Sequence, residues 1–390
     1  MNKITTDYWF TIEPYVYIGL SKHCVLLYNT LDGATIKSEK SEVINLLYQI
    51  LEKENYGVVL LENSIYQKEN IKSFIKELRE KYMGDIIKVG LSTSKPIQIL
   101  PFFNSLYQDK DKLEIYKKQN FYSHANVIDN LHEICIHVDY TIETSKLISF
   151  LQSLPNGIIL SFIGNMQDVK NYDELLSCTD RYPSPKKMIC SYMNTDIQTA
   201  FQNKFSYNIT VDFPVDMCKW TDSLQLLRNQ TLPFEHIFEI TSDESYQQAE
   251  QLIEQFHLEK YSFKPIYTGT NLLFFENEIF LTEEDILEKL LSIKDIFIHQ
   301  MMNTYDFGKI NIMSNGDVYA NINQPLLGNI YVHSLKDIIR LEIEKGKSWF
   351  RIRNQCPCNN CVYQWLCPSP SDYEIVIGRL NLCHLKNENN

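Results

Sequence analysis

The 390-residue sequence predicts an α/β protein in three parts: a small unit of winged-helix type, a partial six-stranded β/α barrel, and a cysteine-rich C-terminal domain. Three observations carry this. Short runs of β-branched and aromatic residues open the chain and lead into amphipathic helices. Six apolar strand runs then alternate with helical patterns. Five of the ten cysteines (Cys356, Cys358, Cys361, Cys367 and Cys383) crowd into the last 35 residues. A chain of this length exceeds one usual domain, so two or three domains and at least one large core are expected.

The opening runs are YVYIGL, CVLLYNT and GATIKSE, with Asp32-Gly33 as a hairpin-turn signal between the last two, and they read as a small antiparallel sheet. In SEVINLLYQILE, residues Val43, Leu46, Leu47, Ile50 and Leu51 share one helical face; in NIKSFIKELREKY, Ile71, Phe74, Ile75 and Leu78 do the same. NYGVVLLEN between them reads as one more strand. The two prolines of KPIQILPFFN (Lys95 to Asn104) mark a linker, which places the first unit at residues 1–95.

Over residues 96–300 the rhythm is strand then helix: HEICIHV and TSKLISFLQSL, GIILSFIG and NYDELLSC, KMICSYM and DIQTAFQNKF, YNITVDF and MCKWTDSLQLL, HIFEITS and SYQQAEQLIEQF, then YSFKPIY. The strand runs are nearly all apolar, the pattern of parallel strands buried on both faces, and six of them imply a partial (β/α)6 barrel. Residues 301–390 provide a hairpin turned at Asn315-Gly316, a helix from Ser334 and the cysteine-rich tail.

The charge balance excludes some functions. With 49 acidic against 37 basic residues the net charge is -12, which offers no field for nucleic acid or an anionic membrane. MNKITTDYWF lacks a signal-peptide pattern, and no stretch nears the roughly 18 apolar residues that span a bilayer, so a cytoplasmic protein is expected.

In such a compartment clustered cysteines favour a metal over disulfides. The spacing Cys358-x2-Cys361-x5-Cys367-x15-Cys383 lets four thiols converge on one centre, and thiolates suit an iron–sulfur cluster or zinc. Cys356 and His384 stand beside this set as further candidate ligands. The alternative is a group of reduced cysteines in a small core.

The tail resembles a SPASM domain, the region that holds auxiliary iron–sulfur clusters in radical SAM enzymes acting on peptides. Cys358, Cys361, Cys367 and Cys383 match the four ligands of the second auxiliary cluster, so the resemblance implies one [4Fe-4S] cluster, with zinc as the alternative. The first auxiliary site is missing, since the hairpin reads Gly316-Asp317-Val318-Tyr319-Ala320-Asn321 and Ser371 stands at the remaining cysteine position. The radical SAM signature Cx3Cx2C is missing as well, because Ile136 to Glu143 after the first barrel strand contains no cysteine, and Ser161-Phe162-Ile163-Gly164-Asn165 replaces a SAM-contacting Gly-Gly-Glu. Neither SAM binding nor radical initiation is expected.

The first unit resembles the peptide-recognition element of ribosomal-peptide biosynthesis, in which a precursor leader adds a strand to a sheet edge beside a helix. Matching positions are Gly33, Ala34, Thr35, Ile36, Lys37 and Ser38 for the edge, with Lys72, Lys76 and Arg79 on the helix; the competing reading of those basic residues is a solvated face. Over the whole chain, with CNNCVYQWLCPSPSDYEIVIGRLNLCH and LLYNTLDG carrying the match, the sequence is similar to pseudo-radical-SAM proteins of the Bacteroidales double-glycine peptide maturation systems. That resemblance implies a non-catalytic accessory protein with two partners, a precursor leader and an active radical SAM/SPASM maturase. Two other readings stand beside it: an enzyme of another type using the barrel mouth, where His137 and Asp139 alternate on one strand, or the C-terminal metal site, and a winged-helix DNA-binding regulator that the acidic balance disfavours.

Overall fold

The computed structural model describes residues 6–100, 104, 121, 127–194, 205–229 and 233–385. The helix expected from DIQTAFQNKF lies outside the described residues except for Phe205, as do residues 101–103 of the linker. Among the described residues no helix is long and apolar enough to cross a membrane.

The chain opens with β1 (Tyr8–Ile12), β2 (Val16–Leu20), β3 (Val25–Asn29), β4 (Thr35–Ser38), α1 (Ser41–Leu51), β5 (Val58–Leu61), α2 (Asn63–Tyr66), α3 (Glu69–Glu80) and β6 (Gly84–Lys88). The expected antiparallel sheet is β2-β3-β4, turned at Gly33 with φ of +78°, a conformation that glycine adopts without strain. A second antiparallel sheet, β5-β1-β6, was not expected. Strand β5 is the one expected from NYGVVLLEN; β1 and β6 were not, because Thr11 in β1 and Asp85 and Lys88 in β6 break their apolar pattern and pairing defines them. Phe10, Leu27, Leu47, Ile71 and Leu78 are fully buried in the core that the two sheets share with α1 and α3.

Every residue of β2 and β3 is buried. Alternation along a strand explains half of this: Val25 and Leu27 face the unit's own core, while Tyr17, Leu26 and Tyr28 point the other way. That second face packs on the C-terminal tail, against Val362, Tyr363, Trp365 and Leu366, and each such side chain contributes about 1.5–3 kcal/mol by leaving water. Gly19 is required there, since a Cβ on it would lie 2.1 Å from the Val362 carbonyl oxygen. Tyr28 Oη also accepts a hydrogen bond from the buried Leu291 N–H at 2.8 Å.

The middle of the chain forms β7 (Glu133–Val138), β8 (Ile159–Gly164), β9 (Lys186–Ser191), β10 (Phe205–Val211), β11 (Phe234–Ile240) and β12 (Tyr261–Pro265). All six pair in parallel and in chain order, as the sequence leads one to expect. Helices α4 (Thr144–Gln152), α5 (Tyr172–Arg181), α6 (Met217–Asn229) and α7 (Asp243–Phe256) supply Leu147, Leu175, Trp220 and Ala249 to the core on one face. Among the described barrel-region strands, burial on both faces is confined to Leu160, Ser161 and Phe162 of β8. In β7, Ile134, Ile136 and Val138 are buried while Glu133, Cys135 and His137 are half-buried, because the helices contribute to one face only.

Helices α8 (Leu272–Glu278), α9 (Glu283–Glu288) and α10 (Ile293–Met301) follow, then β13 (Lys309–Ile312), β14 (Asp317–Tyr319), β15 (Gly328–Asn329), α11 (Leu335–Lys345) and α12 (Asp372–Ile377). The hairpin at Asn315-Gly316 forms as expected, and Ser334 caps α11 by accepting the Asp337 N–H. Strand β13 pairs in parallel with β7, so the described residues form one nine-stranded sheet, β12-β11-β10-β9-β8-β7-β13-β14-β15. Main-chain hydrogen bonds therefore join the barrel to the chain beyond residue 300.

Replacing Tyr28 by Phe leaves the Leu291 N–H buried without its acceptor. We expect a loss of about 1–3 kcal/mol in urea unfolding, with far-UV circular dichroism unchanged.

Candidate metal centre and peptide edge

Local turns bring the four tail cysteines together. Cys358 opens a short 3-10 turn closed by the Cys361 N–H to the Cys358 carbonyl at 3.0 Å, and the Cys367 N–H returns to the Tyr363 carbonyl at 2.9 Å. Cys383 arrives from far along the chain through a parallel bridge to Leu281. All four thiols line one small cavity with Leu281, Arg353, Gln364, Leu382 and Leu385. Cys356 is exposed, and His384 Nε2 meets the Glu276 carbonyl at 2.7 Å; neither lines the cavity.

Burial pushes the Cys361 thiol up to about 11 and raises Cys358 and Cys367 as well, so these three thiols hold their protons at neutral pH. Arg353 is the positive group nearby: its Nη1 lies 4.0 Å from Cys358 Sγ and its Nη2 donates to Glu374 Oε1 at 3.1 Å. Among the described residues no three His, Cys, Asp or Glu side chains are placed so as to hold a single metal ion.

The two positions that depart from the SPASM pattern have structural roles. Ser371 caps α12, its hydroxyl donating to Glu374 Oε2 at 2.5 Å. The Asn321 amide donates to Asp306 Oδ1 at 3.0 Å and to Asp372, and Arg351 lies 3.5 Å from Asp306. Four segments are tied together there by hydrogen bonds instead of thiolates.

At the other candidate site, the Asn29 N–H donates to the Ala34 carbonyl at 2.8 Å, and Leu27 is registered with Ile36. Ile36 and Ser38 therefore aim their backbone groups at β3, as does the Ala34 carbonyl, while the Ala34 N–H donates to Asp32 Oδ1 at 2.9 Å; Thr35 and Lys37 aim theirs outward. The opposite edge of this sheet is covered, because the Asn104 side chain accepts from the Ile18 N–H at 3.1 Å and donates to the Val16 carbonyl at 3.0 Å. Gly33 sits at the turn, where a Cβ would meet Leu290 at 3.5 Å.

The basic residues chosen on α3 are not brought to this edge. Arg79 turns to β6, pairing with Asp85 and donating to the Ile86 carbonyl at 3.2 Å; Lys76 pairs with Glu80 at 3.7 Å, and Lys72 is half-buried on the same helix. Lys81, one residue past the helix, is the cation at β4, donating to the Thr35 carbonyl at 2.7 Å and pairing with Glu77 at 2.8 Å. Helix periodicity alone does not single it out, because the chain leaves the helix there.

Lys37 reaches across to Glu283 at 3.4 Å, and its ammonium lies 5.3 Å from the centre of the Tyr363 ring. A cleft of about 650 Å³ lies beside it, lined by Lys22, His23, Cys24, Lys37, Cys361 and Tyr363 among others. Cys361 lines both this cleft and the four-cysteine cavity.

In the barrel, burial lowers the His137 imidazole against an opposing hydrogen bond to Asn311. Partial burial raises the Asp139 carboxyl, but bonds from Thr141 outweigh it and hold the group below its ordinary range. Asp139 accepts the Thr141 N–H at 2.7 Å, a turn-forming role, and the two side chains have separate partners.

Burial, augmented by the neighbouring Asp372 carboxylate, pushes the Asp306 carboxyl up to about 6, against the Asn321 and Arg351 contacts that lower it. A raised carboxyl contributes stability that is complete below its unfolded value and is lost as pH rises through about 6. Between pH 4.5 and 6.5 the wild-type urea midpoint should fall more steeply than that of Asp306→Asn, by on the order of 2 kcal/mol; equal slopes would refute the assignment.

No family model matches this chain, and no curated protein does. Among solved structures it is similar to those described as native anSMEcpe with bound AdoMet and as hexahistidine-tagged anSMEcpe with bound AdoMet. Each has a TM-score of 0.40 and 12% identity, over 60% of this chain and 88% of the other. At that identity and score neither likeness transfers a role to any residue of this chain.

Proposed function

We propose that this chain is a non-catalytic accessory protein of ribosomal-peptide maturation, which binds a precursor leader along β4 and partners an active radical SAM/SPASM maturase. The observation that carries the peptide half is the outward-facing backbone of Lys37 beside a cleft, next to a Thr35 carbonyl that Lys81 already occupies, on a sheet whose other edge Asn104 covers. An extended peptide gains main-chain hydrogen bonds at such an edge and places alternate side chains in the cleft. The maturase half rests on the resemblance of the tail and on the missing thiol trio after β7.

Cys358, Cys361, Cys367 and Cys383 would hold the metal group. Four thiol side chains lining one cavity suit either a [4Fe-4S] cluster or zinc, and the resemblance of the tail favours the cluster. When bound it supplies one-electron transfer and a covalent tether across the tail. Arg353 offsets part of the thiolate charge, and Leu281, Leu382 and Leu385 limit water.

Lys37→Pro removes one outward N–H and leaves the bonds to β3 in place. In calorimetric titration of the full chain with synthetic precursor leader, we expect affinity to fall at least tenfold with thermal unfolding unchanged; equal affinity would exclude β4 as the docking edge. Incubated with S-adenosylmethionine and a strong reductant, the purified chain should release no 5'-deoxyadenosine, and its release would overturn the non-catalytic role.

A further inference from the structure

We propose that the four-cysteine cavity and the β4 cleft form one coupled site, in which metal occupancy sets the geometry of the peptide-accepting edge. The inference rests on the peptide reading above and adds its regulation.

The wall between the two spaces has two residues that line both: Cys361, which continues into Val362 and Tyr363 on the cleft side, and Leu385. The Val362 carbonyl seats on Gly19 with no room for a side chain between them, so β2 and the tail move together or separate. Tyr363 is 3% exposed, packs with Tyr17, Leu26 and Tyr28, and lies beneath the Lys37 ammonium. Lys37 is one of the residues whose backbone points outward from β4. Three successive residues thus connect a candidate metal ligand, a strand contact and Lys37 on the peptide edge.

Fixing Cys361 through a metal bond fixes this wall, and with it the cleft side of β4. Without the metal, Cys361 loses that tether and the wall is held by packing alone. The Lys37–Glu283 pair, with both side chains about two-fifths exposed, is too weak to hold the cleft by itself. Coupling of this kind is reciprocal, so a strand seated on β4 strengthens metal retention by the same factor.

Hydrogen exchange of the full chain, read by mass spectrometry, tests the coupling without a peptide. The chain is compared metal-free, loaded with zinc chloride, and reconstituted anaerobically with iron and sulfide. Loading is expected to slow exchange at least tenfold in residues 358–383 and also in residues 21–24 and 35–39. In Gly19→Val the tail should still slow while residues 21–24 and 35–39 do not; Tyr363→Ala provides the same uncoupling if the first variant does not fold. Uptake of neither metal, slowing confined to the tail of the wild type, or full slowing in both variants overturns the inference. Because no leader is present, a chain that couples but fails to bind leader in the calorimetric assay keeps this inference and loses the peptide reading. A chain that binds leader without coupling does the reverse.

Discussion

Much of the molecule depends on one buried contact, the seating of the β2-β3-β4 sheet on the C-terminal tail. A three-stranded sheet with apolar residues on both faces is unstable in water unless both faces are covered. One face is covered by α1, α3 and the second small sheet, and the other by residues some 330 positions later in the chain, around Val362 and Trp365. Gly19 permits the closest approach, and Tyr28 completes it with a hydrogen bond to Leu291.

This contact changes what the cysteines mean. Their spacing describes a local cluster, yet the cluster forms part of the floor beneath the N-terminal sheet, and Cys383 is bridged to Leu281. The structure therefore links three distant segments at one place: the β2–β3 turn, the start of α9, and the tail. A ligand at the sheet edge and a metal in the cavity would share the same wall.

The large parallel sheet plays a different part. Its helices bury one face of six parallel strands, and the other face carries Glu133, Cys135, His137 and Ser161, partly satisfied by their neighbours; Ser161 donates to Glu133 at 2.6 Å, and Lys187 and Lys309 each lie 3.9 Å from Glu133. Such a face is polar without presenting a thiol trio. Asp139 is engaged in the turn at Thr141, while His137 Nε2 is buried without a hydrogen-bond partner among the described residues.

Local pattern was enough for the sequence to determine the six parallel strands, the amphipathic helices, the Asp32-Gly33 and Asn315-Gly316 turns, and the four cysteines that line one cavity. Each of these is encoded by periodicity, turn chemistry or short spacing, which act within a few residues. Tertiary structure alone decided that β1 joins β5 and β6, that β13 extends the barrel sheet, that Lys81 rather than Arg79 stands at β4, and that Asn321 and Ser371 serve polar roles. The physical reason is that strand partners, edge coverage and the direction of a side chain past a helix end are set by contacts between residues far apart in the chain, and no window of sequence contains both sides of such a contact.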